Sequence, residues 1–351
     1  MDQRADGIDT RLWAAVGRLL DRAASLDDLR SHRLELLALG RWRELGRPIP
    51  SDLAAEARTA AMTWLAAPFL LQRVRELCNG PIVLLKGPET AAYYPQPSSR
   101  PFKDIDVLVR DAGAVQRALI AAGFNPLGEE RYFLGSHQLQ PLHHPGFPLF
   151  VEVHTRPHWV DGIPPPPVDE LFETAVESVV PVAGISALPR AHHAVLLAAH
   201  AWAHEPLGSL RHLIDIAAAR QGTSAAEADA LATAWGIERI WRTTTATVDA
   251  LLFGRRRPWP HRIWALNLGS VRERTVIETH LERWLAGFSA FPLSRAARMA
   301  VRAVGGDLGP AAGEDWPTKL RRTRRAIRNA FVRRSQHDSE VERAQGARSA
   351  C

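Results

Sequence analysis

Asp104 and Asp106 stand two residues apart in the run Asp104-Ile-Asp-Val-Leu-Val109, whose apolar, β-branched composition predicts a strand. On a strand that spacing puts both carboxylates on one face, side by side. Like charges held so close repel, and a divalent cation is the usual compensation. Glu152 and His154 repeat the spacing in Val151-Glu-Val-His154. If the two strands are neighbours, Asp104, Asp106 and Glu152 converge. Hard oxygen ligands at that density suit Mg²⁺, which takes few protein carboxylates and keeps positions for phosphate oxygens. Upstream, Lys86-Gly87-Pro88 marks a strand-to-helix junction. Gly87 lets backbone approach a ligand closely, Pro88 suits the first helical position, and the N–H groups of such a start attract anions. Lys86, Arg100 and Lys103 add positive charge. The expected chemistry is a phosphate cradle beside an acidic, metal-binding cluster at one end of a sheet.

Other candidates carry two readings each. His154 shares the face of Glu152 and reads either as a cleft residue or as a satisfied, partly buried imidazole. Arg100 reads as a phosphate ligand or as an anchor tying its loop to Asp104. His158-Trp159 reads as packing. His200 and His204 are four apart on a predicted helix, a spacing that can bind zinc. No third ligand has matching spacing, so they read as a cleft wall or as packing. Arg211 and Asp215, also four apart, read as a helix-surface ion pair or, with His154 and His200, as part of a substrate cleft.

The elements that must position these groups follow from hydrophobic period and breakers. Residues 8–71 read as helices, with Leu12, Val16, Leu19 and Leu20 at helical spacing and a long helix from about Asp52 to Cys78, ending at Asn79-Gly80. Pro81-Ile-Val-Leu-Leu85 is wholly apolar, as a buried strand is. A helix follows through Tyr94, then a loop from Pro95 to Pro101, the strand Asp104–Val109 and a helix from Ala112 to Ala122. His137–His143 and Leu149–His154 read as strands joined by a hairpin turn at Pro145-Gly-Phe-Pro148. The proline-rich stretch 161–167 reads as a domain boundary. Helices follow at His192–His204, Gly208–Gln221, Ala225–Gly236 and Ile237–Leu252, the helical region running to about Leu285. The predicted class is α+β: a small mixed sheet flanked by N-terminal helices (1–79) and a C-terminal helical domain (181–313), with the sheet unit at 80–180 and a basic segment at 314–351.

The chain has 351 residues, 46% hydrophobic and 23% charged, an ordinary globular composition with room for two domains. That excludes a wholly disordered or fibrous chain. Two cysteines, Cys78 and Cys351, exclude a disulfide framework and a cysteine zinc site. Of the net charge of +6, eight basic residues and no acid fall between Trp316 and Arg334, leaving the remainder at −2. A near-neutral body argues against a long nucleic acid template. Trp316, Leu320, Ile327 and Phe331 fall near one helix face with arginines around the rest. Such a helix binds an acidic partner, a nucleic acid or a membrane surface, or docks its apolar face on its own body; packing through Phe331 and disorder after Ser335 are expected. The first ten residues are charged and lack the apolar run of a signal peptide. Ala191–Ala203 is interrupted by His192, His193 and His200 and is too short to span a bilayer. The expected compartment is the cytoplasm.

Leu84-Leu-Lys-Gly-Pro88, Tyr94-Pro95, Arg100-Pro101, Asp104-Ile-Asp-Val-Leu-Val109, Val151-Glu-Val-His154 with His158-Trp159, and the helices of His200, Arg211 and Asp215 together resemble the uncharacterised nucleotidyltransferase family of the DNA polymerase β-like superfamily, over roughly residues 50–255. The resemblance places Gly87 at the superfamily's Gly-Ser phosphate turn, Asp104 and Asp106 at its metal pair and Glu152 at its third carboxylate. It departs from the pattern in having Lys-Gly-Pro for Gly-Ser, a long loop from Gly87 to Asp104, and Glu as the third acid. It implies Mg²⁺-dependent transfer of a nucleotidyl group from an NTP, ATP by default, to a hydroxyl of a small-molecule or peptide acceptor, as in bacterial natural-product tailoring. The alternative is a non-catalytic nucleotide-binding or interaction subunit of a biosynthetic complex.

Overall fold

The computed structural model describes residues 10–310 and 313–336; the charged residues 1–9, Cys351 and the tail beyond Gln336 lie outside them. Three short helices open the chain, α1 (Thr10–Leu20), α2 (Leu26–Ser31) and α3 (Glu35–Glu44), followed by the long α4 (Ser51–Leu77). The expected periodicity holds, with Leu12, Val16, Leu19 and Leu20 all buried on the inner face of α1. The central unit runs β1 (Ile82–Leu84), α5 (Pro88–Ala91), β2 (Asp104–Val109), α6 (Ala112–Ala121), β3 (Asn125–Pro126), β4 (Leu142–His143), β5 (Phe150–His154), α7 (Val168–Glu173), β6 (Val176–Glu177) and β7 (Ile185–Ala187). Helices α8 (Arg190–His204), α9 (Leu210–Ala219), α10 (Ala225–Ala234) and α11 (Glu238–Phe253) follow. Then come α12 (Trp259–Ile263), α13 (Leu266–Gly269), α14 (Val276–Leu285), α15 (Leu293–Leu308) and α16 (Trp316–Arg328), so helix continues well past Leu285.

The strands form one seven-stranded mixed sheet in the order β3-β4-β5-β2-β1-β7-β6. β1 is antiparallel to β2 and parallel to β7, and β2 is parallel to β5. Side-chain alternation sorts the central strands between two cores. Ile82, Leu84, Ile105, Val107, Val109, Val151 and Val153 pack with Leu70, Leu71 and Val74 of α4 and Leu119 of α6. Val83, Leu85 and Leu108 face the other way, into a core with α1, α8, α9 and α11. The acidic residues fall on this second face by the same period-2 rule, so α8 and α9 cover the side of the sheet that carries the chemistry.

Several expectations change. The first hairpin strand shrinks to β4, because residues 137–141 run beside β5 with a lone bridge from Gln138 to His154. α5 is a single turn whose four residues are all buried, so no exposed helix start waits there for an anion. The proline-rich stretch at 161–167 does not end the sheet. The chain returns as β6 and β7, and β7 seats on β1 beyond the expected break at 180. The N-terminal helices and α8–α11 share one core with the sheet rather than forming a separate body. The amphipathic segment turns its apolar side outward: Trp316, Leu320, Ile327 and Phe331 are 53–86% exposed. It is held instead by backbone bonds from Val276 and Ile277 to Val332 and Ala330, by Lys319 on the Asp307 carbonyl, and by Arg333 on the buried Asp28 at 2.7 Å. Among the described residues no helix is long and apolar enough to cross a membrane.

Candidate active site

The parallel pairing of β2 with β5 sets Asp106 opposite Glu152 in register. Asp106 is buried, and its Oδ1 accepts a hydrogen bond from His154 Nε2 at 3.1 Å and lies 3.4 Å from Lys86 Nζ. Its Oδ2 is buried without any partner, and so is Nδ1 of His154. One ligand atom each from Asp106, Glu152 and His154 come within 4.8 Å of one another. Asp104, one strand repeat away on the same face, lines the adjoining cavity. An orphaned buried carboxylate oxygen beside a second acid is the donor set a hard divalent cation satisfies. Asp106, Glu152 and His154 can together hold a divalent ion, with Asp104 outside that converging group.

The two facing acids are driven apart in acidity. Burial, then the charges of Asp106 and Asp104, push the Glu152 carboxyl up to about 7. Burial works the same way on Asp106, but the Lys86 ammonium and the His154 hydrogen bond outweigh it and hold that carboxyl well below its ordinary value. At neutral pH Asp106 stays ionised and Glu152 is poised near half-protonation.

Lys86 stands two residues past the end of β1 and is positioned from behind. His193 of α8, fully buried, donates from Nε2 to the Leu85 carbonyl at 2.7 Å, and its Nδ1 takes the Tyr93 hydroxyl at 2.6 Å. The Lys86 ammonium then sits between Asp106 and Nε2 of His200, 3.0 Å away. Gly87 has a φ of +65°, and a Cβ there would stand 2.7 Å from the Asp104 carbonyl oxygen. Only glycine lets the turn after β1 lie against the start of β2.

Arg100 is anchored on Asp215 rather than on Asp104. It is buried and forks onto Asp215 of α9, Nε to Oδ1 at 2.7 Å and Nη2 to Oδ2 at 2.8 Å, while the Tyr94 hydroxyl donates to the same Oδ1. Burial raises the Asp215 carboxyl, but Arg100 more than offsets it and leaves it below its usual value. The expected Arg211–Asp215 pair is replaced by this one. Arg211 bonds the Pro101 carbonyl instead, with Nε buried and unpartnered, and burial and the charge of Arg100 bring it down to about 10.

A cavity of about 900 Å³ opens between α3, α4, α9 and the loop before β2. Lys86, Gly87, Arg100, Lys103, Asp104, His200, Arg211 and Asp215 all reach its wall; Asp106, Glu152 and His154 lie outside the lining. The wall also carries Arg33 and Glu35, which no spacing in the sequence marks. Gln138, which bridges to His154 beside Glu152, is equally unmarked. His158 follows β5 and brings its ring to 5.2 Å from His200 and 4.6 Å from His204. The partner that spacing failed to supply for His200 and His204 is thus a tertiary neighbour.

The profile of the family described as "Uncharacterised nucleotidyltransferase" matches residues 21–253. No curated protein and no solved structure matches the chain. The matched span holds the acidic cluster, the Lys-Gly turn, α8 and α9, and covers well over half of the sequence; the chain belongs to the uncharacterised nucleotidyltransferase family.

Proposed function

We propose that this protein is a Mg²⁺-dependent nucleotidyltransferase with a polymerase-β-like catalytic sheet, moving an NMP group from an NTP, ATP by default, to a hydroxyl of a small-molecule or peptide acceptor. The observation that carries it is the register pairing of Asp106 with Glu152, with a buried, unpartnered oxygen on Asp106 and the Lys86 ammonium 3.4 Å from its other oxygen. Asp104, Asp106 and Glu152 would hold the metal, which supplies charge neutralisation of the triphosphate. Lys86, Lys103 and the Gly87 turn serve the phosphates; Arg211 takes the place first given to Arg100, whose fork is committed to Asp215. The acceptor oxygen attacks the α-phosphorus in line and pyrophosphate leaves. Glu152 either ligates the metal beside the acceptor or takes the acceptor's proton, for which a value near 7 is suited. His200, Arg211 and Asp215 wall the substrate cleft, and His154 orients Asp106 beneath it.

A cavity of about 900 Å³ lies within the range of small-molecule sites and has the volume for a nucleotide with a modest acceptor group. That and the near-neutral body support a small acceptor, of the kind met in natural-product tailoring, over a nucleic acid template. The second reading is a nucleotide-binding subunit without turnover, and the Lys86 ammonium on Asp106, where a metal would compete with it, favours that reading. Calorimetric titration with each NTP and Mg²⁺, followed by pyrophosphate release against an acceptor panel, separates them. Release abolished by Asp106→Asn supports transfer. Tight binding without release across the panel leaves the second reading, and absence of NTP binding overturns both.

A further inference from the structure

We propose that His158, His200 and His204 form a second metal site, for a transition-metal ion of the Zn²⁺ class, one lysine side chain away from the acidic cluster. Ring nitrogens of the three residues lie within 4.8 Å of one another. The ring centroids are 4.4–5.2 Å apart and the planes are steeply inclined at 68–80°, so the rings meet edge to face instead of stacking. His200 and His204 are one helical turn apart on α8, and His158 meets them from the loop after β5. No carboxylate or thiolate belongs to this group among the described residues. An all-imidazole set selects borderline metals such as Zn²⁺ and is a poor site for Mg²⁺, which takes oxygen. The fold thus carries two adjoining sites that sort two metals by donor chemistry.

The surroundings support a ligand. Nδ1 of His158 is buried and has no hydrogen-bond partner, so it is free to take one. Lys86 Nζ sits 3.0 Å from Nε2 of His200 and 3.4 Å from Asp106, so a metal taking that nitrogen must displace the ammonium from it. Three protein ligands leave a fourth tetrahedral position for water or an oxygen of a bound molecule. The site stands independently of nucleotidyl transfer: loss of NTP binding with this site intact overturns only the proposed function.

The test uses the full chain stripped with chelator and titrated with Zn²⁺ and with Co²⁺ in millimolar Mg²⁺. One tight equivalent is expected, with the intense visible bands of tetrahedral Co²⁺. His204→Ala and His158→Asn are each expected to weaken it by at least about 100-fold, the upper end of what outer-sphere partners alone carry. Asp106→Asn with Glu152→Gln, which strips the acidic cluster, is expected to retain it, and Lys86→Met to tighten it. Retention in both histidine variants, or loss in the acidic double variant, places the ion on the carboxylates and overturns the proposal. X-ray absorption at the zinc edge of the unaltered protein gives an answer free of any variant's folding. A shell with three-imidazole scattering supports the site, and an oxygen-only shell or no bound equivalent overturns it.

Discussion

Glu152 holds its carboxyl against three unfavourable influences, burial and the charges of Asp106 and Asp104. A carboxyl raised in the folded state binds protons the unfolded chain has already lost. Its stabilising contribution is whole below about 4.5 and is lost as pH climbs through about 7. Metal-free protein is therefore expected to be less stable at pH 8 than at pH 6 by an amount that Glu152→Gln largely removes, about 1–1.5 kcal/mol. Urea unfolding at the two pH values measures it. Equal losses in the variant and the parent would assign the pH dependence to another group. Added Mg²⁺ is expected to restore stability at pH 8 in the parent and to do little in the variant. The acidic pair was legible in the sequence because a period of two is a local property of one strand. His158 and Arg33 were not, because their places in the structure come from contacts made across the fold. Arg100 was visible as a cation near the chemistry, but its partner Asp215 lies on a helix more than a hundred residues on.

At the scale of elements, that Arg100–Asp215 fork fastens α9 to the loop entering β2, so it sets the cavity wall against the acidic strand. Breaking a buried pair leaves a charge without compensation and costs about 3–5 kcal/mol. Asp215→Asn is expected to lose that much in urea unfolding and to weaken nucleotide binding through a displaced Arg211. Arg100→Met with Asp215→Leu is expected to recover part of the stability and none of the binding. Full recovery of binding in the double variant would mean that the fork does not position the wall. Long elements were readable: β2 emerges at its expected residues, and α8 to α11 within two or three of theirs. Short ones were not. β6 and β7 have two and three residues, too few to show a period, and they gain strand character only by seating on β1.

For the whole molecule, the basic segment is peripheral to the site. Among the described residues none beyond Asp215 lines the cavity, so truncation after Gly313 is expected to leave Mg²⁺-dependent nucleotide binding unchanged by calorimetry. Because Trp316, Leu320, Ile327 and Phe331 already face outward, their removal bares no matching apolar core. The cost falls on the buried Asp28, which loses Arg333, about 1–3 kcal/mol. Asp28→Asn in the shortened chain is expected to return most of it. Aggregation of the truncated protein despite that change would show that the segment shields apolar surface after all. Salt-sensitive retention on an anionic matrix is expected to disappear with the eight basic side chains, since exposed charges are screened over about 10 Å at 0.1 M salt.

The strand order has a kinetic consequence. β1 waits for β7, roughly 100 residues later, and β2 for β5, roughly 50 later, so the pairings that build the site are the slow, non-local ones. Asp106 meets Glu152, and Lys86 meets His200, only after that closure. Until then β1 and β2 are apolar strands with open edges, the kind of surface that aggregates. A nucleotide or metal ion arrives too late to guide the chain. Mg²⁺-nucleotide is therefore expected to slow unfolding while leaving the refolding rate where it was, as stopped-flow measurements on either limb would register. Faster refolding with ligand would mean that the acids gather before the sheet closes.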